Sequence, residues 1–169
     1  AACPAGYECP NPTIGPLACS AGQYSYKSSC WECDSGKECP SPDVAPRDCV
    51  PGTYSLAGMT NCTICPRGSY CPSVRAEPFK CPEGYYSLGG AITCTISPKG
   101  YFSPSRGAKP LPCGIGTFSR AGALNCTLCP AGYRCETPDA LPFMCSPGSF
   151  SSAGAQNCTM CPPGYACPH

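Results

Sequence analysis

Histidine occurs once in this chain, at the last position, His169. A lone terminal imidazole cannot anchor a buried catalytic triad, and no paired-carboxylate, phosphate-loop or calcium-loop spacing takes its place. No enzyme activity and no cofactor are therefore expected. Charge is scarce as well: 12% of residues are charged and the net charge is +1, which argues against a nucleic-acid or anionic-membrane surface. No apolar run approaches the roughly 18 residues of a membrane span. The opening AACPAGYECP lacks the charged and apolar regions of a signal peptide, so the sequence reads as a mature protein or an excised segment. Ordinary core formers are few, since Leu (7), Ile (5), Val (3) and Phe (5) make up 20 of 169 residues. That level implies disorder unless something else holds the chain together. No stretch carries helical periodicity with caps, so almost no helix is expected.

Covalent staples supply what the side chains do not. There are 20 cysteines, with 23 prolines and 19 glycines. An even cysteine count at fixed spacings, together with three Asn-Cys-Thr sequons, points to the oxidising secretory route and an extracellular protein. Zinc is the competing chemistry, because Cys30-x2-Cys33, Cys62-x2-Cys65, Cys126-x2-Cys129 and Cys158-x2-Cys161 have ligand-like spacing. The corresponding positions in one part of the chain are serines, which would halve a ligand set, so disulfides are the expected use.

The cysteines repeat. Cys30, Cys62, Cys94, Cys126 and Cys158 are each 32 residues apart, and so are Cys49, Cys81, Cys113 and Cys145. Only the first spacing slips: Cys19 precedes Cys49 by 30, because CSAGQYSYKSSC is two residues shorter than its later counterparts. The chain divides into a leading half repeat at 1–18, repeats at 19–48, 49–80, 81–112 and 113–144, and a truncated repeat at 145–169. Glycines three residues after cysteines mark turns, and the short runs between them make two-stranded ribbons at most. The expected fold is therefore a series of small disulfide-rich tandem repeats, an elongated rod of turns and short two-stranded β-ribbons.

The third repeat indicates which cysteines pair. It has Ser97 and Ser103 where its neighbours have Cys65 and Cys71, or Cys129 and Cys135. Joint loss implies that these two positions bond to each other. The remaining cysteines then pair either across the Gly-Tyr loop, as Cys81–Cys94, or around the small loop, as Cys94–Cys113. The second scheme strands Cys19 and Cys158, whereas the first uses every cysteine. The expected pairs are Cys3–Cys9, Cys19–Cys30, Cys33–Cys39, Cys49–Cys62, Cys65–Cys71, Cys81–Cys94, Cys113–Cys126, Cys129–Cys135, Cys145–Cys158 and Cys161–Cys167.

The unit seen in CVPGTYSLAGMTNCTICPRGSYC and CSPGSFSSAGAQNCTMCPPGYAC resembles the ephrin-receptor-like cysteine-rich repeat, a relative of tumour-necrosis-factor-receptor modules. The resemblance covers nearly the whole chain. It implies an elongated extracellular rod of the kind found in receptor ectodomains, large secreted proteins and the flagellar hairs called mastigonemes, and it brings no catalytic residues. The departure at Ser97 and Ser103 implies a mobile small loop in the third repeat.

Asn61, Asn125 and Asn157 lie in the sequons, one per period where present, and are expected to carry N-linked glycans along one side of the rod. Ser41, Ser97, Ser103 and Ser146 precede prolines, which fits turn initiation better than O-linked sugar. Trp31 and the aromatics Tyr24, Tyr54, Tyr86, Phe118 and Phe150 are expected to pack over disulfides. Lys99, Tyr101, Phe102, Arg106 and Lys109, in the one divergent repeat, form the candidate contact site. The expected role is structural: a rod that builds a filament, appendage or matrix from copies of itself. A stalk or ligand-binding segment of a receptor, contacting other extracellular proteins, is the second reading.

Overall fold

A computed structural model describes residues 2–11 and 13–167, and over that range the chain consists of strands, turns and loops without helix. Ten antiparallel ribbons of two strands each follow one another. They are β1 (Tyr7–Glu8) with β2 (Leu17–Ala18), β3 (Gln23–Tyr26) with β4 (Ser29–Glu32), β5 (Lys37–Glu38) with β6 (Arg47–Asp48), and β7 (Thr53–Tyr54) with β8 (Thr63–Ile64). Next come β9 (Ser69–Tyr70) with β10 (Phe79–Lys80), β11 (Tyr85–Tyr86) with β12 (Thr95–Ile96), and β13 (Tyr101–Phe102) with β14 (Leu111–Pro112). The last three are β15 (Thr117–Phe118) with β16 (Thr127–Leu128), β17 (Tyr133–Arg134) with β18 (Phe143–Met144), and β19 (Ser149–Phe150) with β20 (Thr159–Met160).

The structural period is half the sequence period. Thr53 begins its ribbon 16 residues after Lys37, and Ser69 follows 16 residues later. The 32-residue repeat is two ribbons of one register that differ in their staple. In one kind a disulfide spans the ribbon with a separation of 13, as in Cys49–Cys62, and in the other it closes a separation of 6, as in Cys65–Cys71.

Local chemistry explains each ribbon. Val50-Pro51-Gly52-Thr53 forms a turn in which the Thr53 N–H donates to the Val50 carbonyl at 3.1 Å, with Gly52 at φ 85°. Proline at the second position and positive φ at the third are the requirements of a type II turn. The Cys65 N–H then donates back to the Gly52 carbonyl at 2.9 Å, which fixes the returning strand. The first pair of each ribbon is 11 apart, as in Thr53↔Ile64, except where the two-residue deletion falls. There the first pair, Gln23↔Glu32, is 9 apart, and Lys27-Ser28 makes a two-residue turn with φ of 50° and 63°. Positive φ at both central positions is the type I′ arrangement, adopted here without glycine.

No leucine, isoleucine, valine or phenylalanine is buried among the described residues. Apart from Pro110, the buried side chains among the described residues are cysteines, with Cys33, Cys65 and Cys129 at 0% exposure, and serines, with Ser55 and Ser97 at 0%. The structure's ten disulfides are Cys3–Cys9, Cys19–Cys30, Cys33–Cys39, Cys49–Cys62, Cys65–Cys71, Cys81–Cys94, Cys113–Cys126, Cys129–Cys135, Cys145–Cys158 and Cys161–Cys167. Each Cys-x2-Cys pair is thereby split between two different bonds. The serine after the ribbon aromatic is a connector: Ser55 Oγ donates to the Lys37 carbonyl at 2.6 Å and Ser119 Oγ to the Tyr101 carbonyl at 2.8 Å. A hydroxyl fits where a methyl would leave that part-buried carbonyl with one partner fewer.

The chain separates into two compact units, Ala1–Lys80 with Gly89–Thr93, and Cys81–Leu88 with Cys94–His169. The same joint recurs inside each. In the first, the Gly90 N–H donates to the Cys65 carbonyl at 2.8 Å, and a methyl added to Gly52 would meet the Gly90 oxygen at 2.3 Å. In the second, the Gly122 N–H donates to the Ser97 carbonyl at 2.8 Å, and a methyl on Gly84 would meet the Gly122 oxygen at 2.2 Å. Glycine is required at such a joint both for its φ and for the close carbonyl.

Two expectations need correction. Trp31 is not covered but 54% exposed, on the second strand of the shortened ribbon, where it pairs with Tyr24. Tyr24, Tyr54, Tyr86 and Phe118 are half-buried, and Phe150 is 41% exposed. The third repeat also keeps its small loop in place without its disulfide. Ser97 and Ser103 are buried, Tyr101 still pairs with Pro112, and the Ser103 N–H still donates to the Ala123 carbonyl at 2.9 Å. Backbone hydrogen bonds hold this register, and the disulfide elsewhere reinforces it.

Candidate interaction surface

The third repeat differs from its neighbours in three substitutions that fall together. Position by position, Ser103 stands where Cys71 and Cys135 stand, Arg106 where Val74 and Pro138 stand, and Glu83 where Pro51 and Ile115 stand. These residues meet in an open groove of about 580 Å3, lined by Glu83, Tyr85, Ser103, Arg106, Leu124 and Asn125 among others. The turn before β11 carries Glu83, the loop between β13 and β14 carries Ser103 and Arg106, and the loop before β16 carries Leu124 and Asn125. Arg106 Nη2 lies 3.8 Å from Glu83 Oε1, a loose and solvated pair.

Ser103 and Ser97 are the buried side chains left unsatisfied: among the described residues, their Oγ atoms are the buried side-chain nitrogen or oxygen atoms with no hydrogen-bond partner. Their burial closes both to O-linked sugar. An orphaned hydroxyl in a low-dielectric interior costs about 1–3 kcal/mol, and the stapled repeats avoid that cost by having sulfur there.

The five residues singled out from the sequence are not gathered into one patch. Arg106 faces Glu83 across the groove. Tyr101 is 41% exposed on β13 and Phe102 is half-buried beside it. Lys99 acts on Asp139, whose carboxyl is held below its ordinary value first by the Thr137 hydroxyl and, more weakly, by the Lys99 charge. Lys109 is exposed. Arg134 lies 3.1 Å from Glu136 in the following repeat. Glu83, Tyr85 and Leu124 were not singled out, although aligning the repeats residue by residue marks Glu83 as the lone acid at its position.

The sequon residues Asn61, Asn125 and Asn157 are all exposed, each in the loop before the second strand of a ribbon with the longer disulfide. Their threonines, Thr63, Thr127 and Thr159, are exposed too. A second set of outward side chains is apolar and periodic: Ile64, Ile96, Leu128 and Met160, 32 apart, are 68%, 42%, 57% and 78% exposed. Each of the first three leans over the glycine of the loop that follows, as Leu128 Cδ1 does 3.3 Å from a methyl placed on Gly154.

Comparison with models of known protein families finds no match to this chain, and comparison with curated proteins finds none either. The likeness of the unit to the ephrin-receptor-like repeat therefore rests on the spacing of its own cysteines and glycines. No helix among the described residues is long and apolar enough to cross a membrane. Ten disulfides and no free cysteine among those residues belong to an oxidising environment.

Proposed function

We propose that this chain is a structural, N-glycosylated extracellular rod that associates with copies of itself into a filament, a flagellar-hair-like appendage or a matrix. The observation that supports the reading is the recurrence of one joint in both compact units, with a glycine N–H on a cysteine or serine carbonyl at 2.8 Å each time. A joint that repeats without variation adds length rather than a new surface, which is the economy of a quasi-one-dimensional array. Four ribbons with the longer disulfide also present an exposed apolar residue at the same register, Ile64, Ile96, Leu128 and Met160, a periodic surface suited to lateral contact between copies. Electron microscopy of native material tests this directly: filaments are expected, and isolated particles at every protein and salt concentration would overturn it. Small-angle scattering of the chain should give a rod with roughly 25–35 Å of rise per repeat, and a globule would contradict it.

The groove of the third repeat favours a second reading, a stalk or binding segment of a cell-surface receptor, because it breaks the repetition with a charged pair and an unsatisfied hydroxyl. A membrane span and cytoplasmic region encoded in the same gene would support that reading.

A further inference from the structure

We propose that the groove of the third repeat is a carbohydrate site whose occupant is the inner part of the glycan on Asn125. The inference rests on the reading that Asn125 is N-glycosylated. Asn125 lines the groove, so a sugar bonded to its side-chain nitrogen starts at the rim. The lining suits a pyranose. Glu83 accepts from sugar hydroxyls, Arg106 donates to them, and Tyr85 and Leu124 offer apolar faces to the C–H side of the ring. Ser103 lines the floor of the groove, where its neighbours carry the cysteine of a disulfide, and its buried hydroxyl takes no part in the contact.

The tether makes weak chemistry sufficient. A group attached at the rim has an effective concentration in the millimolar range, so contacts too weak to hold a free sugar can hold a linked one. The other two sequons lack the lining. For Asn157 the counterparts of Glu83 and Arg106 are Ile115 and Pro138, and for Asn61 they are Ala21 and Pro42. Only the repeat without its second disulfide pairs a sequon with this polar groove.

The test uses the secreted glycoprotein of residues 1–169. Site occupancy is measured first by mass spectrometry, then the rate of enzymatic glycan release at each Asn under native conditions. Release at Asn125 should be about tenfold slower than at Asn61 and Asn157, as a contact of that strength would shield the bond. The E83Q/R106Q double variant should remove the difference. Trimming every glycan to its first sugar should leave the unfolding temperature unchanged, whereas complete removal should lower it in the wild type and not in the variant. Equal release rates at three occupied sites would overturn the groove proposal and leave the glycosylation reading intact. An unmodified Asn125 would overturn both.

Discussion

Replacing Ser97 and Ser103 by cysteine should insert the staple that the third repeat lacks. The four internal disulfides or disulfide positions of this kind share one frame: in Cys33–Cys39, Cys65–Cys71 and Cys129–Cys135 the Cα atoms are 5.9 Å apart, and the strand register following Ser97 is the same. The bond would close a separation of 6, a ring of seven residues, for which the chain-entropy relation gives about −7.9 cal/mol/K, or about 2.4 kcal/mol at 25 °C. Removing two buried, unpartnered hydroxyls adds to that, by about 1 kcal/mol or more each. In a repeat array the gain is local, so the assay is amide hydrogen exchange at Ser103 and Cys113, whose N–H groups bond to the Ala123 and Gly100 carbonyls. Protection there should rise at least about 50-fold, at about 1.4 kcal/mol per factor of ten. The S97A/S103A variant isolates the hydroxyl contribution without the cross-link. Two alkylatable thiols in S97C/S103C, or a bond that forms with no gain in protection, would refute the reasoning.

Other perturbations follow from the same geometry. Ser28→Gly should raise the unfolding free energy measured by denaturant titration by about 1 kcal/mol, since Ser28 sits at φ 63°, while Lys27→Asn should gain less because Lys27 Nζ lies 5.2 Å from the Tyr26 ring centre. Gly84→Ala should cost more than about 3 kcal/mol by driving a methyl into the Gly122 carbonyl, whereas Gly132→Ala, with nothing within 4 Å, should cost only the roughly 1–2 kcal/mol of its positive φ; equal costs in thermal unfolding would contradict the joint. Asp43, Asp48 and Asp139 are held below the ordinary 3.8, chiefly by Ser41, Lys37 and Thr137 respectively. Depressed folded values mean a contribution fully present above the unfolded value and lost as pH falls through the lower one, so the unfolding temperature should stay level down to about pH 5 and drop below about 3.8. A decline beginning above pH 5 would contradict this.

Much of the fold was legible because cysteine and glycine spacings report backbone geometry directly. The paired replacement at Ser97 and Ser103 pointed to one class of bond, and Gly52 after Pro51 marked its turn. The 16-residue ribbon was concealed because the two halves of each repeat carry staples of different span, so cysteine spacing shows only the sum. The role of Ser55 and its counterparts was hidden for another reason: a small polar residue in a turn-rich chain looks solvated, and only the packing reveals a buried hydroxyl on a carbonyl 18 residues back. Trp31 misled because aromatic residues usually find cover, and the shortened ribbon offers none. The groove combines residues from three loops, so its parts were visible one at a time while their meeting was not.

An interior of sulfur and hydroxyl has a calorimetric consequence. The heat capacity of unfolding rises with the apolar surface released and falls with the polar surface released. Here the large apolar side chains already face water, so unfolding should release little, and the heat-capacity increment should fall well below the about 12–15 cal/mol/K per residue usual for globular domains. A small increment flattens the dependence of stability on temperature. Such a chain would hold its shape nearly as well near freezing as in warm water, and its limit would be set by the reducing power of its surroundings instead of by heat.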